Sequence, residues 1–92
     1  MLQQKIHEEL KEAMRAKDSV RLNVVRGLLT AFTNELVAKK RKPTETLEDE
    51  LALEVIRRGV KQRKDAIEQF EKGGRADLAE SEKAELALLQ KY

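Results

Sequence analysis

VRLNVVRGLLTAFTNELV, residues 20–37, is the stretch of the sequence that decides the fold. Its apolar residues recur every three or four positions, which is the spacing of one helix face. They are Val20, Val24, Val25, Leu28, Leu29, Phe32, Leu36 and Val37. The stripe is wide enough to contact two neighbours, so it predicts the central helix of the core. Glycine inside a helix costs about 1 kcal/mol relative to alanine, so Gly27 predicts a close approach by another helix, unless it is merely tolerated.

A first helix precedes this stretch, and a cap separates the two. Apolar residues recur at helical spacing from the start of the chain: Leu2, Ile6, Leu10, Ala13 and Met14. Asp18 or Ser19 then supplies an N-cap, because a short side chain with an oxygen atom accepts a hydrogen bond from the unpaired amides of a first helical turn. We therefore expect helix two to begin at this cap.

A loop and a long third helix follow. The only proline of the chain predicts a loop from about residue 41 to 46, since proline cannot continue a helix. Thr46 and Asp49 resemble a capping box in which Asp replaces Glu, which predicts a helix start near Leu47. Apolar residues keep helical spacing to residues 71–72, so this helix should be about 25 residues and about 37 Å long.

The glycine pair at 73–74 should end helix three, because glycine adopts the left-handed conformation of a helix C-terminus without penalty. A fourth helix with a leucine-rich side follows, and it should run to Tyr92 because no stop signal precedes that residue. No stretch of five or more residues alternates polar and apolar side chains, so no strand is predicted. The sequence therefore predicts an all-α domain over residues 1–92, a four-helix orthogonal or bundle-like arrangement with a long third helix.

The corner between helices three and four carries specific expectations. Three apolar residues should pack there: Ile67, Phe70 and Leu78. Three charged residues are candidates for ion pairs or caps: Asp65, Arg75 and Asp77. We expect Arg75 to bridge to Glu71 or Asp65.

Composition limits the possible classes of protein. Aromatic residues make up only 3% of the chain, so the core must be mostly aliphatic. The absence of cysteine excludes disulfides, thiol catalysis and thiolate zinc sites, and it fits a cytoplasmic location. The longest uncharged run, Gly27–Asn34, is far too short to span a bilayer, so no membrane partner is expected. A net charge of +2 does not by itself predict a polyanion partner.

Residue types that carry catalytic chemistry are few and scattered. His7 is the only histidine, so no second imidazole completes a metal pair, and we expect it to be an exposed side chain on helix one. Ser19 lies at a predicted cap and Ser81 on a polar helix face, neither beside a base that would activate it. We therefore expect no catalytic residue, no metal site and no cofactor in this chain.

Positive charge is concentrated between residues 57 and 64. Arg57, Lys61 and Lys64 lie at i, i+4 and i+7, hence on one helix face, where they could contact phosphates along a nucleic-acid backbone. The alternative is a solvated face that neutralises its acidic neighbours, with about 0.3 kcal/mol from each exposed pair: Lys64 with Glu68, Glu68 with Lys72, and Lys61 with Asp65. The lack of nearby aromatic residues counts against single-stranded RNA.

Two long segments resemble the YqeY family. They are residues 60–86, VKQRKDAIEQFEKGGRADLAESEKAEL, and residues 13–35, AMRAKDSVRLNVVRGLLTAFTNE, and the likeness extends over the whole chain. The family shares a domain with the tail of the GatB component of glutamyl/aspartyl-tRNA amidotransferase, which is associated with tRNA recognition. The resemblance implies that residues 1–92 are an N-terminal helical domain and that a second, smaller helical domain follows Tyr92.

The resemblance also implies a function. It favours a nonenzymatic module associated with tRNA or tRNA-dependent amidotransferase complexes, with Arg57, Lys61, Arg63 and Lys64 as candidate nucleic-acid contacts. One alternative is a protein–protein interaction module in which the long third helix docks on a partner chain. Another is the label often transferred to the family, carbon–nitrogen ligase activity with glutamine as amido-N-donor. The nucleophile and the ATP-handling parts of that enzyme lie outside the shared domain.

Overall fold

The computed structural model describes residues 1–92 and contains four helices. They are α1 (Leu2–Ala16), α2 (Ser19–Ala38), α3 (Asp49–Lys72) and α4 (Ala76–Leu89). The predicted all-α fold with a long third helix is confirmed. With 24 residues, α3 is about 36 Å long and sets the longest dimension of a molecule that measures 42 × 31 × 18 Å. The fourth helix ends at Leu89, three residues earlier than predicted.

Helix α2 is the centre of the core, as its periodicity predicts, and it contacts the other three helices. Five of its residues are buried: Val24, Val25, Leu28, Phe32 and Leu36. Burying an aliphatic or aromatic side chain of this size contributes about 1.5–3 kcal/mol, so this stripe organises the fold. The two ends of the predicted stripe lie outside the core, because Val20 is 40% and Val37 is 54% exposed. Met14 at the end of α1 is also exposed.

Two predicted helix ends are confirmed by their hydrogen bonds. Asp18 caps α2, and its Oδ1 accepts a hydrogen bond from the Arg21 amide at 3.1 Å. At the end of α3, Gly74 has φ 72°. The Arg75 amide donates to the Phe70 carbonyl at 2.8 Å, and the Gly74 amide donates across the same turn. This pattern is a Schellman motif, the turn that glycine favours.

Two further Schellman turns have lysine where glycine is usual. Lys17 after α1 has φ 55° and Lys40 after α2 has φ 59°. The amide that follows each lysine donates to a carbonyl near the end of the helix, from Asp18 at 3.1 Å and from Arg41 at 2.8 Å. A left-handed conformation costs a residue with a Cβ about 1–2 kcal/mol, so both turns are strained. Because both positions hold lysine, the sequence does not predict these left-handed turns.

The predicted start of α3 is wrong. The helix begins at Asp49 after a loop over residues 39–48, and the Thr46–Asp49 capping box does not form. Asp49 Oδ1 instead accepts a hydrogen bond from the Leu2 amide at 2.8 Å. Leu47 is fully buried, and its amide donates to the side-chain oxygen of buried Gln3 at 2.8 Å. The first turn of α1 therefore holds this loop in place.

The expected close approach at Gly27 is also wrong. A Cβ added at Gly27 would have no atom within 4 Å, so the glycine faces open space. The close approach occurs at Gly59 of α3, where an added Cβ would lie 3.2 Å from Leu89 Cδ2. A glycine on α3, not on α2, therefore lets α4 pack closely.

The corner between α3 and α4 differs from the expectation in its ion pairs. Arg75 Nε lies 3.4 Å from Asp77 Oδ1, not beside Glu71 or Asp65. Glu71 pairs across the corner with Lys83 at 3.6 Å. Of the three apolar residues expected there, Ile67 is buried, and Phe70 and Leu78 are partly buried.

Candidate nucleic-acid interface

Arg57, Lys61 and Lys64 form a row on the exposed side of α3, which we call the cationic ridge. All three side chains are exposed. Seven residues separate the first from the last, which is about 10.5 Å along the helix axis. None of the three has a carboxylate oxygen within 4.0 Å. The ridge therefore presents three positive charges without an internal counter-ion.

Of the three ion pairs in the alternative, only the one between Glu68 and Lys72 is formed, and it does not involve the ridge. Lys61 does not pair with Asp65, and Lys64 does not pair with Glu68. Glu68 is bound from the other side by Lys72, whose Nζ lies 3.0 Å from it. The structure thus favours the ridge as a free cationic surface over the alternative of a self-neutralised helix face.

Arg63 is not part of the ridge. A helix turns by about 100° per residue, so Arg63 lies about 240° around α3 from Arg57, while Lys64 lies within about 20° of it. Arg63 is partly buried and lines a cleft between α2 and α3. The structure therefore brings together three of the four predicted contact residues and separates the fourth, and the role of all four as nucleic-acid contacts stays a prediction.

Arg58, the remaining cation in the segment, is already bound within the domain. Its guanidinium donates to Glu35 on α2 at 3.1 Å, and Lys39 lies 3.6 Å from the same carboxylate. The hydrogen bond from Arg58, together with the charges of both cations, lowers the pKa of Glu35 against the opposing effect of burial. The sequence does not indicate this pair, because its partners are 23 residues apart on different helices.

An apolar hollow of about 290 Å³ lies beside Arg57. Its apolar lining residues are Leu53, Ile56, Val60, Leu89 and Tyr92. The Tyr92 hydroxyl donates a hydrogen bond to Glu9 on α1, which attaches the end of the chain to the domain. Burial, with this bond and the negative charge of Glu9, raises the pKa of Tyr92. The hollow places an apolar surface next to a positive charge.

His7 lies exposed on α1, as predicted. It lines a shallow surface depression together with Lys5, Glu8 and Asp49. No group of three or more His, Cys, Asp and Glu side chains is placed to hold a metal ion. None of the four helices has the length and apolarity needed to cross a bilayer.

The fold and the ridge define a class: a small all-α domain that exposes a row of unpaired cations on its longest helix. The family model described as Yqey-like protein matches residues 3–92, and the chain belongs to this family. The family membership that the sequence indicates is therefore confirmed.

Three fungal proteins are similar to this chain. The chain is 38% identical over 88 residues to "Altered inheritance of mitochondria protein 41, mitochondrial" of Lachancea thermotolerans, covering 95% of this chain and 45% of that protein. It is 36% identical over 87 residues to the protein of the same name in Kluyveromyces lactis, again with 95% and 45% covered. The Eremothecium gossypii protein is 35% identical over 88 residues, with 95% of this chain and 46% of that protein covered. The chain thus spans about half the length of these relatives.

These names correct one expectation. The lack of cysteine predicts a cytoplasmic protein. The similar proteins are named as mitochondrial, which contradicts that expectation. A lack of disulfide-forming residues does not distinguish the cytoplasm from other compartments that keep thiols reduced.

Proposed function

We propose that this chain is a nonenzymatic helical module that binds tRNA through the cationic ridge and acts beside tRNA or a tRNA-dependent amidotransferase complex. The observation that carries the proposal is the row of three exposed cations without internal partners. The three cations span about 10.5 Å along α3, and each can contact one phosphate of a nucleic-acid backbone. The resemblance of the chain to the tail of an amidotransferase component supports tRNA as the polyanion.

The ridge predicts a definite dependence on salt. Each phosphate contact changes the slope of log affinity against log salt by about −0.7 for single strands and about −0.9 for duplexes. Three contacts therefore give a slope between about −2 and about −3. Raising the salt from about 50 to about 200 mM should weaken binding about 20- to 40-fold. Non-specific polyanion binding follows the same slope, so selectivity for tRNA is measured separately against a DNA duplex of equal length.

A charge-matched pair of variants tests the proposal. Fluorescence anisotropy with labelled tRNA would compare the parent chain, Lys61→Gln with Lys64→Gln, and the control Lys5→Gln with Lys11→Gln, which removes the same charge from α1. We expect the ridge variant to reduce the slope to about −1 and the control to keep the parent slope. Absence of binding, or an equal effect of both variants, would count against the ridge as the tRNA surface.

A second candidate function is supported by the apolar hollow. A protein partner could insert an apolar side chain beside Val60 while its acidic residues meet Arg57, since interfaces combine an apolar anchor with a polar rim. Val60 lines the hollow and packs against the edge of the core, so Val60→Gln places an amide in the hollow, and circular dichroism of the variant checks that the fold is kept. In a nuclease-treated pull-down, a protein partner should be retained by the parent chain and lost with this variant. A tRNA-mediated partner should be lost on nuclease treatment alone.

The names of the relatives suggest where the chain acts. We propose the mitochondrial compartment for this chain as well, on the support of those names. Imaging of the tagged full-length protein against a mitochondrial marker would test this. A cytosolic signal would refute it without affecting the proposed binding surface.

A further inference from the structure

A cleft between α2 and α3 has no role in the proposed tRNA contact. Its volume is about 390 Å³, within the range of small-molecule sites. Six apolar residues contribute to its lining: Val24, Leu28, Ala31, Ala38, Val55 and Leu89. On the α2 side, the cleft is bordered by the small residues Gly27 and Ala31. Gly27 opens directly onto free volume, since no atom lies within 4 Å of the position that its Cβ would occupy.

The wall of this cleft contains the one buried side-chain nitrogen of the domain that has no hydrogen-bond partner, Nε of Arg63. Arg63 also has no carboxylate within 4.0 Å. The nearest acidic residue in the cleft, Glu35, is engaged by Arg58, which lies about 7.5 Å away from Arg63 along α3. A buried polar group without a partner costs free energy, and in a native structure it calls for an explanation.

We propose that this cleft binds a small molecule with an aliphatic body and a carboxylate or phosphate group. The planar guanidinium of Arg63 donates two parallel hydrogen bonds to such a group, the geometry that arginine favours. The aliphatic body covers the apolar residues of the cleft. Exposed amide side chains at the cleft, Asn34 and Gln62, supply further hydrogen bonds to the acid group. Binding requires the end of the Arg63 side chain to rotate so that its N–H groups face the ligand.

The proposal is independent of the tRNA surface because Arg63 and the ridge lie on different sides of α3. A titration followed by ¹H–¹⁵N correlation spectra tests it, since the Nε–Hε group of arginine gives its own signal. The probes are hexanoate and hexyl phosphate, and 1-hexanol is the uncharged control, all at constant ionic strength. We expect saturable shifts of Arg63 Nε–Hε and of the amides of Gly27 and Gly59. The better of the two acids should bind at least about tenfold more tightly than the alcohol.

Three variants make the test specific. Arg63→Met keeps the length of the side chain but removes the hydrogen-bond donors, so the saturable shifts should disappear while the remaining spectrum shows an intact fold. Lys64→Met removes the same charge one position along, on the ridge, and should leave binding unchanged. Gly27→Leu fills the cleft and should also abolish binding. The proposal is overturned if no probe gives saturable shifts, if 1-hexanol binds as tightly as both acids, or if Arg63→Met binds like the parent chain.

Discussion

Replacing the two left-handed lysines with glycine should stabilise the domain. Lys17 and Lys40 close the turns after α1 and α2 with φ 55° and φ 59°. Both side chains are exposed, and neither makes an ion pair within 4.0 Å. Glycine therefore removes no side-chain contact of consequence, and it preserves the backbone hydrogen bonds of both turns. Its effect is confined to the backbone conformation.

The size of the gain follows from two opposing contributions. The left-handed conformation costs a residue with a Cβ about 1–2 kcal/mol. Glycine loses more backbone freedom on folding than lysine does, and this opposes the gain by about 0.5–1 kcal/mol. Each substitution should therefore raise the free energy of unfolding by about 0.5–1 kcal/mol, or the Tm by about 2–8 °C for a domain of this size. The two positions lie at opposite ends of α2, about 30 Å apart, so their effects should add.

Urea unfolding followed by circular dichroism measures these differences, with calorimetry as an independent check. Lys17→Ala is the matched control, because alanine removes the same side-chain atoms beyond Cβ and keeps the steric penalty. We expect the alanine variant to resemble the parent and the double glycine variant to gain about 1–2 kcal/mol. A glycine variant no more stable than its alanine counterpart would refute the strain argument. A changed m-value would point instead to an effect on the unfolded chain.

Four further predictions concern buried or paired polar groups and activity. Arg58 lowers the pKa of Glu35 in the folded domain. The Glu35 carboxylate therefore stabilises the fold at pH values above its ordinary pKa of 4.5, and that stabilisation is lost as the pH falls through the folded pKa. Glu35→Gln should therefore flatten the loss of stability below that pH in urea midpoints. The pKa of Tyr92 is raised, so its contribution is complete below its ordinary pKa of 10.0 and lost as pH rises through the folded pKa. Tyr92→Phe should accordingly remove part of the alkaline decline. Gln3→Met leaves the buried Leu47 amide without its acceptor and should cost about 1–3 kcal/mol in urea unfolding, whereas a cost near zero would show that the bond does not hold the loop. The full-length protein should release no ammonia from glutamine above the buffer blank in a coupled assay, and measurable release would contradict the nonenzymatic proposal.

Local patterns in the sequence predict those parts of the fold that depend on neighbouring residues. The apolar spacing of α2 identifies a helix that contacts all the others and contributes five buried residues to the core. The Asp18 cap and the Gly74 turn are also correct, because each satisfies backbone groups within a few residues. At the ends of the stripe the prediction fails, since Val20 and Val37 keep the helical spacing but are exposed.

The remaining errors come from contacts between distant parts of the chain. The residues before α3 resemble a capping box in the sequence. In the structure, Asp49 and Leu47 instead form hydrogen bonds with the first turn of α1, more than 40 residues earlier. The close approach of two helices requires a glycine, and the sequence offers Gly27 and Gly59 without showing which one faces Leu89. Only the relative placement of the helices decides between such alternatives.

Helix α3 illustrates how far a charge cluster can mislead. Arg63 and Lys64 are adjacent in the sequence and look like one basic patch, yet one residue turns the helix by about 100°. Lys64 consequently lies in solvent on the ridge, whereas Nε of Arg63 is buried without a partner in the wall of the cleft. Removing either cation lowers the net charge by one. If ligand binding depended only on net charge, both substitutions would weaken it equally. Weaker tRNA binding with a smaller salt slope for Lys64→Met, and loss of hexanoate or hexyl phosphate binding for Arg63→Met, would show that the two faces of one helix carry separate sites.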